Sequence, residues 1–275
     1  MDFKTKLKAM TMKFTRKSLG KYAFAVLART DSGIFAVDPE DLAVGRSLLR
    51  HGNWCNEEYA QISQYVSNHS SVLFVGAHIG SLVVPIAKNC GKVVAIEANP
   101  NTFELLKINI TLNQLNNCEL LNVAANDKVE SLPFLLNKLN SGGSKREPKV
   151  KKEMYYYDNP DYVKVEAVPL DDRLNASCYD LIVMDIEGSE YFALKGMQRI
   201  LSCSKILQIE FVPHHLKYVS GVGVDDYLGL ISPYFDRLYI PSKKITIGKS
   251  EFEATLTTMF NKNEEDDGII FQKTR

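Results

Sequence analysis

One stretch constrains the fold more than any other: Val72-Leu-Phe-Val-Gly-Ala-His-Ile-Gly80, followed by Val93-Val-Ala-Ile-Glu97. An apolar run, Val72 to Val75, meets two glycines four apart, and a helical pattern follows from Ser81 to about Asn89. A second apolar run then ends on one acid, Glu97. Strand, glycine turn, helix, strand and carboxylate make half of a nucleotide-binding α/β unit. The glycines let backbone approach a ligand where a Cβ would collide, and the helix N-terminus presents unpaired N–H groups. Glu97, 21 residues after Gly76, is placed to accept both hydroxyls of a ribose. The bland alternative is that Gly76 and Gly80 only make a tight turn; the spacing to Glu97 argues against it. The dinucleotide fingerprint G-x-G-x-x-G has a third glycine that is missing here, which weakens an NAD-dependent reading and suits the looser turn of a methyltransferase. A third strand, Cys118 to Ala125, ends at Asn126 and Asp127, and a fourth, Tyr179 to Met184, ends at Asp185-Ile-Glu-Gly-Ser-Glu190.

With these blocks in order, the chain resembles the FkbM family of S-adenosylmethionine-dependent methyltransferases. The family reads roughly V-x-D-V-G-A-N-x-G, an acid-N/P turn, and I-D-V-E-G-A-E. This chain has Phe74-Val-Gly-Ala-His-Ile-Gly80, Glu97-Ala-Asn-Pro100 and Met184-Asp-Ile-Glu-Gly-Ser-Glu190. Asp41-Leu-Ala-Val-Gly-Arg-Ser and Gly52-Asn-Trp-Cys-Asn-Glu57 are similar to the family's leading segment. Leu105 to Asn113 is similar to its L-x-x-N-x-x-x-N helix, Asn140-Ser-Gly-Gly-Ser144 to its glycine-serine loop, and Leu170-Asp-Asp172 to its L-D-D turn. The resemblance runs from about Phe35 to Ile240. It implies a Rossmann-like class I methyltransferase fold of the α/β class: a mostly parallel seven-stranded sheet with helices on both faces, and here an N-terminal helical appendage. Two positions depart from the pattern. Phe74 stands where the family has Asp, and His78 where it has Asn. The family Asp helps hold the methionine ammonium; Phe74 accepts no hydrogen bond, so another carboxylate, Asp185 or Glu57, is expected to serve. His78 still offers a donor and an acceptor.

The 275 residues are 45% hydrophobic, enough for one sizeable core with an appendage. We expect a leading helical segment over 1–70 and a methyltransferase domain over 71–275, with a lid-like insertion at about 137–160. Lys+Arg and Asp+Glu both total 33, so the whole chain exerts no net pull toward nucleic acid or membrane. Residues 3–28 have helical apolar spacing and a lysine-rich face. This is either a docked helix with a solvated basic side or a contact for an acidic partner, polymer or membrane surface. The five scattered cysteines read as free buried thiols of a reducing compartment, hence a cytoplasmic protein. No apolar stretch approaches the ~20 residues that span a bilayer. Asp38 and Pro39 read as the start of a helix to about Leu49, Glu190 to Leu201 as one amphipathic helix, and Glu264-Glu-Asp-Asp267 as a solvated loop. The stretches Leu132–Leu136 and Tyr162–Val168 read as a hairpin. The basic, tyrosine-bearing segment between them either holds an anionic or sugar-like substrate or is a solvated edge.

Strand ends face the ligand crevice in such sheets, which gathers the expected cofactor residues Gly76, Ala77, His78, Gly80, Glu97, Ala98, Asn126, Asp127 and Asp185. Asn126 or Asp127 is expected at the adenine. Asp185, Glu187 and His214 are the candidate catalytic groups, since a hydroxyl nucleophile needs a base. Glu210 and His215 follow the fifth strand and reach toward the same place. Acids at Asp185, Glu187 and Glu210 suit a hard metal ion, but helix capping and cofactor contact are the simpler reading, so no metal is expected. The leading functional reading is O-methylation of a small molecule or glycan. A nucleic-acid methyltransferase and a catalytically weak cofactor-binding module are the alternatives; Asn159-Pro-Asp-Tyr162 precedes the fourth strand and reads as a turn.

Overall fold

The computed structural model describes residues 10–11, 14–15, 17–175 and 177–274. Most of the basic face expected on the N-terminal helix, from Lys4 to Arg16, lies outside the described residues. The helical spacing read up to residue 28 stops short. Val26–Arg29 (β1) and Ile34–Val37 (β2) are an antiparallel hairpin around Thr30–Gly33. An apolar run on each side of Asp-Ser-Gly pairs more favourably than it continues a helix.

The remaining strands follow in chain order: β3 (Ser71–Val75), β4 (Lys92–Ile96), β5 (Cys118–Leu121), β6 (Ala124–Ala125), β7 (Glu130–Leu136), β8 (Lys145–Arg146), β9 (Asp161–Val168), β10 (Leu181–Met184), β11 (Ile206–Phe211), β12 (Arg237–Ile240), β13 (Ile245–Gly248) and β14 (Asp266–Gln272). The main sheet has the order β13-β12-β14-β11-β10-β3-β4-β5. The five strands from β11 to β5 are parallel, β14 is antiparallel to both neighbours, and β13 adds an eighth, antiparallel edge to the expected seven. Side chains alternate across this sheet, so each strand feeds two cores. Leu73 and Val75 face the core that holds Leu194, Leu201, Tyr227 and Phe252, whereas Val72 and Phe74 face the one that holds Val83, Leu105 and Leu106.

The third strand of the sequence reading is broken. β5 stays in the main sheet, while β6 leaves it to pair with β9 in a smaller sheet of order β6-β9-β7-β8. That sheet contains the expected hairpin, β7 against β9 from Glu130–Ala167 to Leu136–Asp161. The helix expected from Asp38 begins instead at Val44, after a turn that Asp41 organises: its Oδ1 accepts from Ala43 and Gly45 N–H at 2.8 and 3.2 Å. The helix read over Glu190–Leu201 is two, Glu190–Lys195 and Gln198–Cys203. Between them Gly196 lies against the Asn126 carbonyl, where a Cβ would sit 1.8 Å from the oxygen. The acidic run is not a free loop. It joins an unforeseen helix, Phe252–Lys262, to β14, and Asp266 is buried, accepting from Ser242 and Gly268 N–H. Cys178 and Cys203 form a disulfide with Cα atoms 5.3 Å apart, which corrects the expectation of free thiols; Cys55, Cys90 and Cys118 are free. None of the described helices is long and apolar enough to cross a membrane.

The L-x-x-N-x-x-x-N spacing has a structural explanation. On the helix Pro100–Leu112 and its C-cap, Asn109 and Asn113 act as strand partners for β2. Asn109 Oδ1 accepts from Ala36 N–H at 2.6 Å, and its Nδ2 donates to the Ala36 and Ile79 carbonyls at 3.1 and 2.8 Å. Asn113 brackets Ile34 in the same way, at 3.1 and 2.7 Å. The hairpin is thereby fastened to the nucleotide-binding unit.

Phe74 is 2% exposed and sits between Ala95 of β4 and Val183 of β10. Phe74→Asp is therefore expected to cost about 3–5 kcal/mol or more, from lost burial and a charge in an apolar site. Phe74→Leu should cost about 1–1.5 kcal/mol. Urea unfolding checks both. A Phe74→Asp protein as stable as its parent would show that the side chain is not core.

Candidate functional site

The carboxyl ends of β3, β4, β10 and β11 open on one cavity of about 300 Å³. Its foundation is the turn after β3. Gly76 has φ +95, and a Cβ there would fall 1.8 Å from the Asp185 carbonyl oxygen, so only glycine lets this turn touch the one after β10. Gly76 and Ala77 N–H both donate to the Ile96 carbonyl, at 2.9 and 2.8 Å, which joins the ends of β3 and β4.

Glu97 caps β4 and is 8% exposed, at the cavity wall. One carboxylate oxygen accepts from His78 N–H and the other from Asn99 N–H, both at 2.7 Å. Burial raises its pKa; the His78 ring and these two N–H groups oppose the rise. With Thr102 as a third partner, the two oxygens still have acceptor capacity for a further donor. His78 adopts φ +50, and its Nε2 lies 2.7 Å from Ser141 Oγ. Ser141 in turn donates from Oγ and, at 3.1 Å, from its N–H to Asp41 Oδ2. The loop Asn140–Ser144 is thus held over the glycine turn from both sides, and Ser141 and Ser144 line the cavity.

The opposite wall is acidic. Asp185, Glu187, Glu210, Glu58 and Asp267 line it, and Glu190 lies just behind. Burial, then Glu187 and Glu58, push the Asp185 carboxyl well above the usual range. Burial and then Asp185 do the same to Glu210, and burial lifts Glu58 to about 7. Carboxylate oxygens of Asp185, Glu190 and Glu210 lie within 4.8 Å of one another. Two of the three already have protein partners. Glu190 accepts from Ile186 and Gly188 N–H at 2.9 and 3.3 Å, and Glu210 meets His215 Nδ1 at 3.1 Å. Glu187, at φ +56, is gripped by buried Lys145 at 2.7 Å, with His215 Nε2 at 3.5 Å. Burial, with Lys145 and His214 adding to it, holds His215 down to about 2, so the imidazole is neutral. Cys55 also lines the cavity, but burial and then Glu58 push its thiol up to about 12, so it is no nucleophile.

Of the expected residues, Gly76, Ala77, His78, Glu97, Ala98, Asp185 and Glu187 share this cavity. Gly80 lies behind it, packed on Leu106. Asn126 and Asp127 do not line it, because β6 turns away into the smaller sheet. Asn126 Nδ2 donates to Glu130, and Asp127 pairs with Lys195 at 2.6 Å. Val123, Ala124 and Ala125 take their place on the wall. His214 also lies off the lining, with Nδ1 2.9 Å from the Tyr155 hydroxyl; His215 is the histidine that faces the acids. Exposed Glu57 is replaced by its neighbour Glu58. Trp54, Cys55, Glu58, Lys145 and Asp267 had no spacing signal, since segments distant in sequence bring them here. The helical period could have separated Glu58 from Glu57, because an inward face at Glu58 and Ile62 is four residues apart.

A 56-residue stretch, 20% of this chain, is 38% identical to the probable ribosomal RNA small subunit methyltransferase A of Methanosphaera stadtmanae and spans only 21% of that relative. The structure of a tRNA methyltransferase from M. jannaschii is similar at 16% identity and TM-score 0.43, over 93% of this chain and 59% of that one. Methyltransferase FkbM from Methylobacillus flagellatus KT is similar at 18% identity and TM-score 0.42, over 74% of this chain and 44% of that one. The model of the methyltransferase FkbM domain matches residues 75–239, which hold the glycine turn, Glu97 and the whole Asp185–Glu190 block. The chain belongs to this family of S-adenosylmethionine-dependent methyltransferases.

Proposed function

We propose that the protein transfers the methyl group of S-adenosylmethionine to a hydroxyl of a small molecule or glycan. The observation that carries this reading is the division of the cavity. A buried, backbone-fixed carboxylate, Glu97, stands at one end, and an excess of acids with a single paired ammonium, Lys145, stands at the other. Its volume falls within the roughly 300–1,000 Å³ of small-molecule sites. When bound, the cofactor supplies a methyl group on a cationic sulfonium. Glu97 accepts the ribose hydroxyls, Val123–Ala125 pack on the base, and Asp185 with Glu58 faces the cationic methionine end in place of the acid missing at Phe74. Glu187 is the base. Lys145 and His215 fix its orientation, and Glu210 fixes His215. His215 is a positioning residue: with Nδ1 engaged by Glu210, its Nε2 faces Glu187. Residues 71–275 form the catalytic domain, residues 1–70 supply the wall that carries Trp54 and Glu58, and the insertion at 137–160 is its lid, latched by Ser141 to Asp41 and His78. A second reading, a nucleic-acid acceptor, rests on the short likeness to the ribosomal RNA methyltransferase.

Three outcomes test this. Calorimetry with S-adenosylhomocysteine should show binding weakened roughly ten- to a hundredfold in Glu97→Ala, since hydrogen bonds to a charged group are worth about 1.5–3 kcal/mol. Unchanged affinity removes the ribose assignment. For turnover, a panel of hydroxylated acceptors is followed by mass spectrometry of methylated products. Glu187→Gln and Asp185→Asn should lose at least about a hundredfold, the range of general-base catalysis. His214→Gln, whose ring faces Tyr155, should stay within about threefold of the parent. The reverse ranking sinks the base assignment.

The third outcome is a pH dependence. Asp185, Glu190 and Glu210 have raised carboxyl pKa values, chiefly from burial, and Glu58 rises from 4.5 to about 7. Between about pH 4.5 and 7 these four acids bind more protons in the folded protein than in the unfolded chain, so their contribution to stability falls as pH rises through that window; His215, held down to about 2, opposes them below 6.5, one group against four. The ligand-free protein should melt several degrees lower at about pH 8 than at about pH 5.5. Saturating S-adenosylmethionine, which is cationic, should narrow the gap. Equal melting temperatures without ligand would show that the acids are not held protonated.

A further inference from the structure

The lid segment carries a second, basic surface that the methyl-transfer site leaves unexplained. In β8, Lys145 pairs with Glu187, and the next residue, Arg146, lies on the opposite face of the strand, half-buried against Phe192. The Arg146 guanidinium lies 3.5 Å from the Phe192 ring centre, and Lys149 Nζ lies 5.2 Å from the same ring. Beside them Lys152 and Lys217 lie 4.6 and 5.5 Å from the Tyr218 ring. Backbone hydrogen bonds fuse the two groups: Lys149 N–H donates to Val219 and Val150 N–H to Tyr218. Cation–π contacts hold these long side chains in place, which lowers the entropy lost when they bind.

The charges are not neutralised from within. Lys151 pairs with Glu147 at 3.2 Å, but among the described residues no carboxylate pairs with Lys149, Lys152 or Lys217. Asp127 and Glu130 act on Arg146 from one side, yet each already pairs with a lysine, Lys195 and Lys128. Arg146 Nη1 is buried and has no acceptor, a donor the protein leaves unmade at a cost. Lys149, Lys152 and Lys217 are exposed. The aromatic faces are covered by cations, so the surface offers charge rather than bare rings for stacked bases.

We propose that this surface binds an anionic part of the acceptor, a phosphate, sulfate or carboxylate, through Lys149, Lys152 and Lys217 with Arg146 behind them. The proposal rests on the methyltransferase reading and adds the charge class of its substrate. It predicts that binding at the surface weakens as salt rises.

The test uses the full chain and three probes: inorganic pyrophosphate, citrate and a single-stranded RNA decamer. NMR titration of backbone amides follows binding. Pyrophosphate should shift the amides of Lys149, Lys152 and Lys217 saturably, and citrate reports whether carboxylates serve as well. In the K149E/K152E double variant the pyrophosphate affinity should fall roughly tenfold or more. Arg146→Met, which keeps the packing on Phe192 without the charge, should weaken it too. S-adenosylhomocysteine affinity, measured on the same variants, should not change, so failure of the surface and failure of the cofactor reading are separate results. No saturable shift at these amides, or equal pyrophosphate affinity in K149E/K152E, overturns the proposal. So does an RNA decamer that binds through the same lysines at least about a hundredfold more tightly than pyrophosphate, which would assign the surface to nucleic acid.

Discussion

The contact between Gly76 and the Asp185 carbonyl is the constraint on which the site depends. Strands β3 and β10 are neighbours in the centre of the sheet, and their turns must cross at the same height. With no Cβ at Gly76, the two turns close to van der Waals distance. The backbone then delivers Gly76 and Ala77 N–H to Ile96, which fixes where β4 ends and therefore where Glu97 begins. Glu97 returns the constraint by accepting from His78. Glu97 and the acid-rich turn keep their relation because three strand ends are locked through a few backbone atoms. The lock is made of backbone, so Phe74 in place of an acid leaves it intact.

Electrostatics runs against stability in the same place. Asp185, Glu190 and Glu210 crowd together, with Asp185 open to the cavity and Glu190 buried behind it, and each is held more protonated than a carboxylate in water. A protein selected for stability alone would have apolar residues there. The crowding becomes useful only when a cation enters, because the desolvation already borne by the acids then strengthens their attraction to it. Lys145 stands apart from these acids as a buried cation. By pairing with Glu187 it singles out one acid from the cluster, and His215 holds that acid from the other side.

The nucleotide-binding half was legible because its signals are local. Two glycines, an apolar run and one acid fix a strand–turn–helix–strand unit within about 30 residues. The Asp185–Glu190 block was legible for the same reason. Other features depend on the path of the whole chain. Asn126 and Asp127 follow an apolar strand, and sequence alone gives no sign that the strand leaves the main sheet two residues earlier to pair with β9. His214 and His215 are adjacent, and only the tight π-helical turn His215–Ser220 decides which one faces the acids. Cys178 and Cys203 are 25 residues apart, and their approach depends on how the helix Gln198–Cys203 returns along the sheet. Asn109 and Asn113 were visible as a pattern, but their role as strand partners for β2 could not be read while β1 was taken for helix.

That last pairing changes where the functional unit begins. A boundary at residue 70 follows the sequence, since the glycine unit starts at β3, but the cavity does not respect it. Trp54, Cys55 and Glu58 form one wall, and Asp41 anchors the Ser141 loop that meets His78. The preceding hairpin is fixed by Asn109 and Asn113 on the helix that follows Glu97. Strand tips alone make an open surface; the segment carrying Trp54, Cys55 and Glu58, laid beside those tips, makes one side of a cavity. Residues before 70 thus form part of the cavity wall, joined by hydrogen bonds to the very elements that position Glu97.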